Sequence, residues 1–176
     1  EDNYRLRVEE YEKRLTPKTK MVLLSSPNNP TGRVFTREEL TELSQFIIKH
    51  DLICVCDQAF EDTAFPGHEM VTMASLPGMW ERTVTVCSCS KGMALSGYRV
   101  GYIFADDVIM DTMYATAVNI QGAANTMVQM AMIPAYEDTS FIQDYVAEQD
   151  FRRRYAYEKF NAVPGVSMPL MESGFY

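Results

Sequence analysis

Two periods organise the apolar positions of this chain. Short apolar runs at 20–26, 52–57 and 83–88 have the length of strands and are bounded by turn residues or charge, which predicts three buried strands. A fourth run, 98–104, follows the third after a gap of residues 90–97. That gap is too short for a helical crossover, so the fourth strand is predicted antiparallel to the third. Helical spacing alternates with these runs. Leu6, Val8, Tyr11 and Leu15 give a weak helical pattern over 5–15, broken by Thr16-Pro17. Thr36 followed by Glu39 is a capping box, and Leu40, Leu43, Phe46 and Ile47 then form one helical face. Beyond Asp106 the pattern predicts helices over 106–118, 122–136 and 140–161, the last ended by Pro164-Gly165.

This order of elements predicts an α/β layered domain with a mostly parallel sheet. In such sheets ligands sit beyond the carboxyl ends of the strands, so polar residues there are the candidates for chemistry. Asn29 follows the first strand inside the dense turn signal Pro27-Asn28-Asn29-Pro30-Thr31-Gly32. Asp57 closes the second strand, Ser88 and Lys91 follow the third, and Arg99 opens the fourth.

Composition narrows the classes. The 176 residues suffice for one domain with a real core. A net charge of −8 argues against a nucleic-acid surface, and no apolar run approaches a membrane span. The basic run Arg152-Arg153-Arg154 reads as a solvated helix face. Cys54 and Cys56, like Cys87 and Cys89, have strand spacing and read as small core residues in a reducing compartment, with no metal site. His50 and His68 carry no catalytic expectation, Trp80 reads as packing, and the methionines of the helical part read as core or interface filling. The first residues, Glu1-Asp2-Asn3-Tyr4, have no Met and no apolar signal core, and the chain is expected to begin and end within a longer protein.

The strand-end residues make chemical sense together. An amine that forms an imine must lie by a cofactor carbonyl and release its proton easily. A pyridine ring acting as electron sink needs a carboxylate against its ring nitrogen. A phosphate tail needs arginine and hydroxyl donors. Lys91, Asp57, and Ser88 with Arg99 supply these three needs.

On these residues the chain resembles the class I/II (fold-type I) aminotransferases, which use pyridoxal 5′-phosphate. The matching stretches are Ser26 to Gly32, Asp57-Gln58-Ala59-Phe60, Ser88-Cys89-Ser90-Lys91, and Gly97 to Tyr102. They follow in family order, with 28 residues from Asn29 to Asp57, 34 from Asp57 to Lys91 and 8 from Lys91 to Arg99.

The resemblance implies a three-layer fold incomplete at both ends. Residues 1–160 would belong to the cofactor-binding large domain, and 161–176 would begin the small domain. It implies that Lys91 holds the cofactor as a Schiff base and moves the substrate proton, and that Asp57 keeps the pyridine nitrogen protonated. Asn29 would bond the cofactor's 3-hydroxyl, its bond to Pro30 being a candidate for the cis form, while Ser88 and Arg99 would hold the phosphate. Many members carry Tyr at the Phe60 position. Phe60 lacks that hydroxyl, which implies a less stabilised phenolate on the cofactor, not its loss. The family's glycine-rich phosphate loop and ring-stacking aromatic normally lie upstream of residue 1. Its carboxylate-gripping arginine normally lies downstream of residue 176, so the chain alone is expected not to transaminate. The resemblance implies a cytoplasmic homodimer acting on an amino acid and a 2-oxo acid. Three alternatives remain open at this point: a carbon–sulfur β-lyase of the same fold, the effector domain of an aminotransferase-like transcription regulator, and a structural or metal-binding α/β domain built on the cysteine pairs.

Overall fold

The computed structural model describes residues 2–176. Its centre is a four-stranded sheet in the order β1 (Met21–Ser25), β2 (Ile53–Asp57), β3 (Thr83–Ser88), β4 (Gly101–Phe104). β1, β2 and β3 are parallel, and β4 runs antiparallel to β3, as the short connection requires. α1 (Val8–Glu12) precedes β1, α2 (Arg37–Lys49) crosses from β1 to β2, and α3 (Asp107–Ile120), α4 (Thr126–Glu137) and α5 (Ser140–Asn161) follow β4.

The predicted capping box exists in full: Thr36 accepts from the Glu39 backbone N–H, and Glu39 returns a bond to the Thr36 N–H. It starts α2 where its apolar face meets the sheet. Leu40, Leu43, Phe46 and Ile47 are buried against Val22, Leu24, Cys54 and Cys56. Each such large side chain contributes about 1.5–3 kcal/mol of burial, so this face fixes the helix on the sheet. The opposite face of β1 stays open, with Leu23 72% exposed against 4% for Leu24. All four cysteines are buried free thiols. Burial pushes Cys54 and Cys87 up to about 12, so the core holds them as protonated small hydrophobes.

Several expectations need correcting. The weak helix over 5–15 shrinks to the five residues of α1. The helix expected from 122 begins at Thr126, because the Asn125 side chain caps it by accepting from the Met127 and Val128 N–H groups. The fourth strand begins at Gly101, so Arg99 does not open it. Arg99 instead ends a short 3₁₀ turn (Ser96–Tyr98) in the left-handed region, at φ 53°. The Arg152–Arg154 run is not uniformly solvated. Arg153 is 7% exposed, pairs with Asp150, and lays its guanidinium 4.1 Å from the centre of the Phe65 ring. Among the helical methionines only Met132 is buried, while Met127 and Met130 face outward. Trp80 stacks on Phe104 yet stays half exposed.

Candidate active site

The parallel strands deliver their last residues to one edge. In register, Ser25 stands beside Asp57, and Asp57 beside Val86. The Ser26 N–H donates to the Asp57 carbonyl at 3.0 Å and the Gln58 N–H to the Val86 carbonyl at 2.8 Å, so pairing continues past the strands and places the following turns side by side.

The first turn is built around its glycine. The Asn28 N–H donates to the Arg33 carbonyl and the Gly32 N–H to the Asn28 carbonyl, both at 2.8 Å. Thr31 closes the turn through its hydroxyl to Asn28 Oδ1 at 2.7 Å. Gly32 sits at φ 64°, where a side chain is strained, and a Cβ there would meet Met171 Cε at 2.5 Å and the Ser173 carbonyl at 2.8 Å. The Ser26–Pro27 and Asn29–Pro30 bonds are both cis. Asn29 is exposed at the tip, its N–H reaching Ser25 Oγ at 3.4 Å.

Asp57 stands exposed at the end of β2, and its Oδ1 accepts from the Ala59 N–H at 2.9 Å. Oδ2 has no hydrogen-bond partner among the described residues. Phe60, one turn on, is buried. Ser88 accepts from the Ser90 N–H at 3.2 Å, a local bond that starts the turn carrying Lys91. Lys91 is half-buried, with Nζ 5.7 Å from the centre of the Phe60 ring and 5.6 Å from that of Phe175. It has no carboxylate partner among the described residues. Arg99 is exposed and spends one bond on the Ser96 carbonyl, at 2.8 Å. It too has no carboxylate partner among the described residues.

These observations fit a particular ligand chemistry. One edge of the sheet holds an amine, a carboxylate oxygen and a guanidinium with their electrostatic capacity unused, beside an exposed amide and a hydroxyl. That donor set suits an aldehyde-bearing pyridine phosphate: the amine for the aldehyde, the carboxylate for a protonated ring nitrogen, the guanidinium and hydroxyl for phosphate.

The model of the family "Aminotransferase class I and II" matches residues 1–176. This chain belongs to the class I and II aminotransferases. It is 35% identical to aromatic-amino-acid aminotransferase 2 of Thermococcus litoralis, over 100% of this chain and 46% of that protein. It is 33% identical to an aspartate aminotransferase of Musicola paradisiaca, over 92% of this chain and 41% of that protein. The solved aromatic aminotransferase from Pyrococcus horikoshii OT3 superposes with a TM-score of 0.93 at 32% identity, covering 98% of this chain and 47% of that one. The chain therefore spans under half the length of these relatives. It has their α/β fold with a mostly parallel sheet.

Sequence reasoning missed one part of this aminotransferase edge. Residues 172–176 return to it: the Phe175 and Tyr176 rings each lie 5.5 Å from the Phe60 ring. Desolvation and the charge of Asp57 together raise the Tyr176 hydroxyl above its ordinary range. Nothing in the local pattern of 172–176 announces this, since the partners lie more than a hundred residues away. The close packing at Gly32 is its structural counterpart.

Proposed function

We propose that the full protein transfers an amino group between an amino acid and a 2-oxo acid, using pyridoxal 5′-phosphate bound at Lys91. The observation that carries this reading is the set of unspent groups at one sheet edge, Lys91, Asp57 and Arg99, in aminotransferase order and spacing. The cofactor supplies an electron sink for the carbon that loses its proton. The chain's own residues supply the rest. Lys91 would offer the amine for the aldehyde and a base for the substrate's α-proton. Asp57 would hold a proton on the ring nitrogen. Asn29 would donate to the ring's 3-oxygen, and Ser88 with Arg99 would hold the phosphate. Phe60 contributes apolar packing and no hydrogen bond.

Domain limits and assembly belong to the same reading. Residues 1–160 form part of the large domain, and 161–176 begin the small one, at the last residue of α5, Asn161. The protein works as a homodimer in the cytoplasm, where four free buried thiols suit a reducing environment. No helix is long and apolar enough to cross a membrane among the described residues.

The test is chemical. The full-length protein is incubated with pyridoxal phosphate, reduced with borohydride, digested and mapped by mass spectrometry. The pyridoxyl group is expected on Lys91, together with 2-oxo-acid-dependent amino transfer. Label on another lysine, or none, would overturn the site. Label on Lys91 with pyruvate release from cystathionine and no amino transfer would keep the site and replace the reaction by β-elimination.

A further inference from the structure

The segment that returns to the site is held by a buried charge cluster. Glu172 takes both its oxygens to Arg33 Nη1, at 2.6 and 2.5 Å, and its Oε2 also accepts from the Val34 N–H at 2.8 Å. Arg33 Nη2 reaches Glu39 Oε2 at 3.2 Å. Glu39 is itself committed, accepting from the Thr36 N–H at 2.8 Å and the Leu6 N–H at 3.1 Å. The three side chains are only 15%, 11% and 6% exposed for Arg33, Glu172 and Glu39. The guanidinium is met by two carboxylates and each carboxylate also by a backbone N–H, while Arg33 Nε is buried without a partner among the described residues. Removing one member leaves the others buried and uncompensated.

Backbone bonds add to the hold. The Glu172 N–H donates to the Gly32 carbonyl at 3.1 Å, the Phe65 N–H to the Glu172 carbonyl at 3.0 Å, and Ser173 Oγ to the Gly32 carbonyl at 3.3 Å. Ala64 and Ser173 form an isolated antiparallel bridge, and Arg153 donates to the Met171 carbonyl. The cluster thus fastens residues 171–173 to the same turn that presents Asn29. From that anchor the chain needs two more residues to set the Phe175 ring 5.6 Å from Lys91 Nζ. Phe60 flanks the same amine at 5.7 Å.

We infer that Glu172 is a positioning residue: by pairing with Arg33 it holds residues 172–176 across the edge of the site, so that Phe175 shields the Lys91 amine from bulk water. The inference rests on the reading of Lys91 as the cofactor lysine. Its logic is mechanical. The Phe60 and Phe175 ring centres lie 5.5 Å apart and 5.7 and 5.6 Å from Nζ, so the two rings form one apolar wall beside the amine. Glu172 touches neither substrate nor cofactor, and its effect is transmitted along the backbone to Phe175.

The test is trace acylation of the cofactor-free, full-length protein with acetic anhydride, read by mass spectrometry. Lys91 labelling is expressed relative to Lys49, a surface lysine on α2, in the same digest. In wild type the ratio is expected to be low. Glu172→Gln and Phe175→Ala are each expected to raise it severalfold, with Glu172→Asp restoring much of the protection because the charge returns. Circular dichroism and Lys49 labelling report whether each variant is folded. A ratio unchanged by Phe175→Ala overturns the shielding. A Glu172→Gln variant that loses thermal stability while keeping the wild-type ratio overturns the positioning role and leaves an ordinary structural ion cluster. Borohydride mapping of the wild type separates the two levels: pyridoxyl label on a different lysine removes the reading of Lys91 itself, and the inference with it.

Discussion

The two ends of β2 and β3 treat charge in opposite ways. At the amino ends of β2 and β3, Arg82 is spent on Asp51 at 3.2 Å and on the Leu52 carbonyl at 3.4 Å, and nearby Lys49 pairs with Glu12 at 2.8 Å. At the carboxyl ends, Lys91 and Arg99 have no carboxylate partner among the described residues, and Asp57 keeps one oxygen free. The residue types are the same, so composition does not explain the difference. A half-buried amine beside two aromatic rings has given up part of its hydration without a counter-ion in return. Such an arrangement is stable in a fold that places a ligand there. Exposed Lys20, just before β1, also lacks a carboxylate partner among the described residues, so it is the half-buried amine without a counter-ion, rather than unpaired charge alone, that marks the functional end.

The largest expected effect comes from removing the central unspent group. Lys91→Ala should leave no reducible pyridoxyl attachment. It should also lower amino transfer by at least about 10³-fold, toward the upper range for losing a positioned proton-transfer group. Borohydride mapping and steady-state kinetics check the two parts. Retention of attachment in this variant would move the site elsewhere and erase the contrast between the sheet ends.

Asp57→Asn comes next. The amide keeps the shape but cannot stabilise a protonated ring nitrogen. Losing a hydrogen bond to a charged group is worth about 1.5–3 kcal/mol, or roughly ten- to hundredfold. That loss should appear as weaker cofactor retention in a spectrophotometric titration. An unchanged affinity would show that the free oxygen of Asp57 is merely solvated.

Gly32→Ala probes the turn between the site and residues 171–173. A left-handed φ and the close approach of Met171 and Ser173 both oppose a Cβ, and together predict a loss of about 1–3 kcal/mol in denaturant unfolding. A neutral result would mean that the returning segment yields easily and does not define the site.

How much of this was legible in the sequence follows from the range of the forces involved. β1, β2, β3 and α2 were readable because apolar runs and a capping box are local signals. Asn29, Asp57, Ser88 and Lys91 were readable as strand-end residues, and the register then set the turns of β1 and β2 side by side. Arg99 was placed at the right edge but in the wrong conformation, since a left-handed residue after a 3₁₀ turn leaves no mark in a pattern of apolar positions. Arg153 was misread because its burial depends on Phe65, far away in the chain. The Arg33–Glu172 pair was unreadable for the same reason: neither residue has an unusual neighbourhood until the fold brings together positions 139 apart.

The smallest effect is expected at the opposite end of the sheet, and it is the control that gives the others meaning. Lys49 ends α2, where its ammonium faces the carbonyl end of the helix and the Glu12 carboxylate. Both partners are well exposed, at 65% and 41% of their side chains. Water screens such a pair, and holding two long side chains in one geometry offsets most of the attraction. Lys49→Ala should therefore leave cofactor titration and amino transfer at wild-type values, with any change in melting temperature within experimental scatter. A shift as large as that of Gly32→Ala would mean that paired surface charge matters as much as the built turn. The distinction between spent and unspent groups would then lose its power to locate the site.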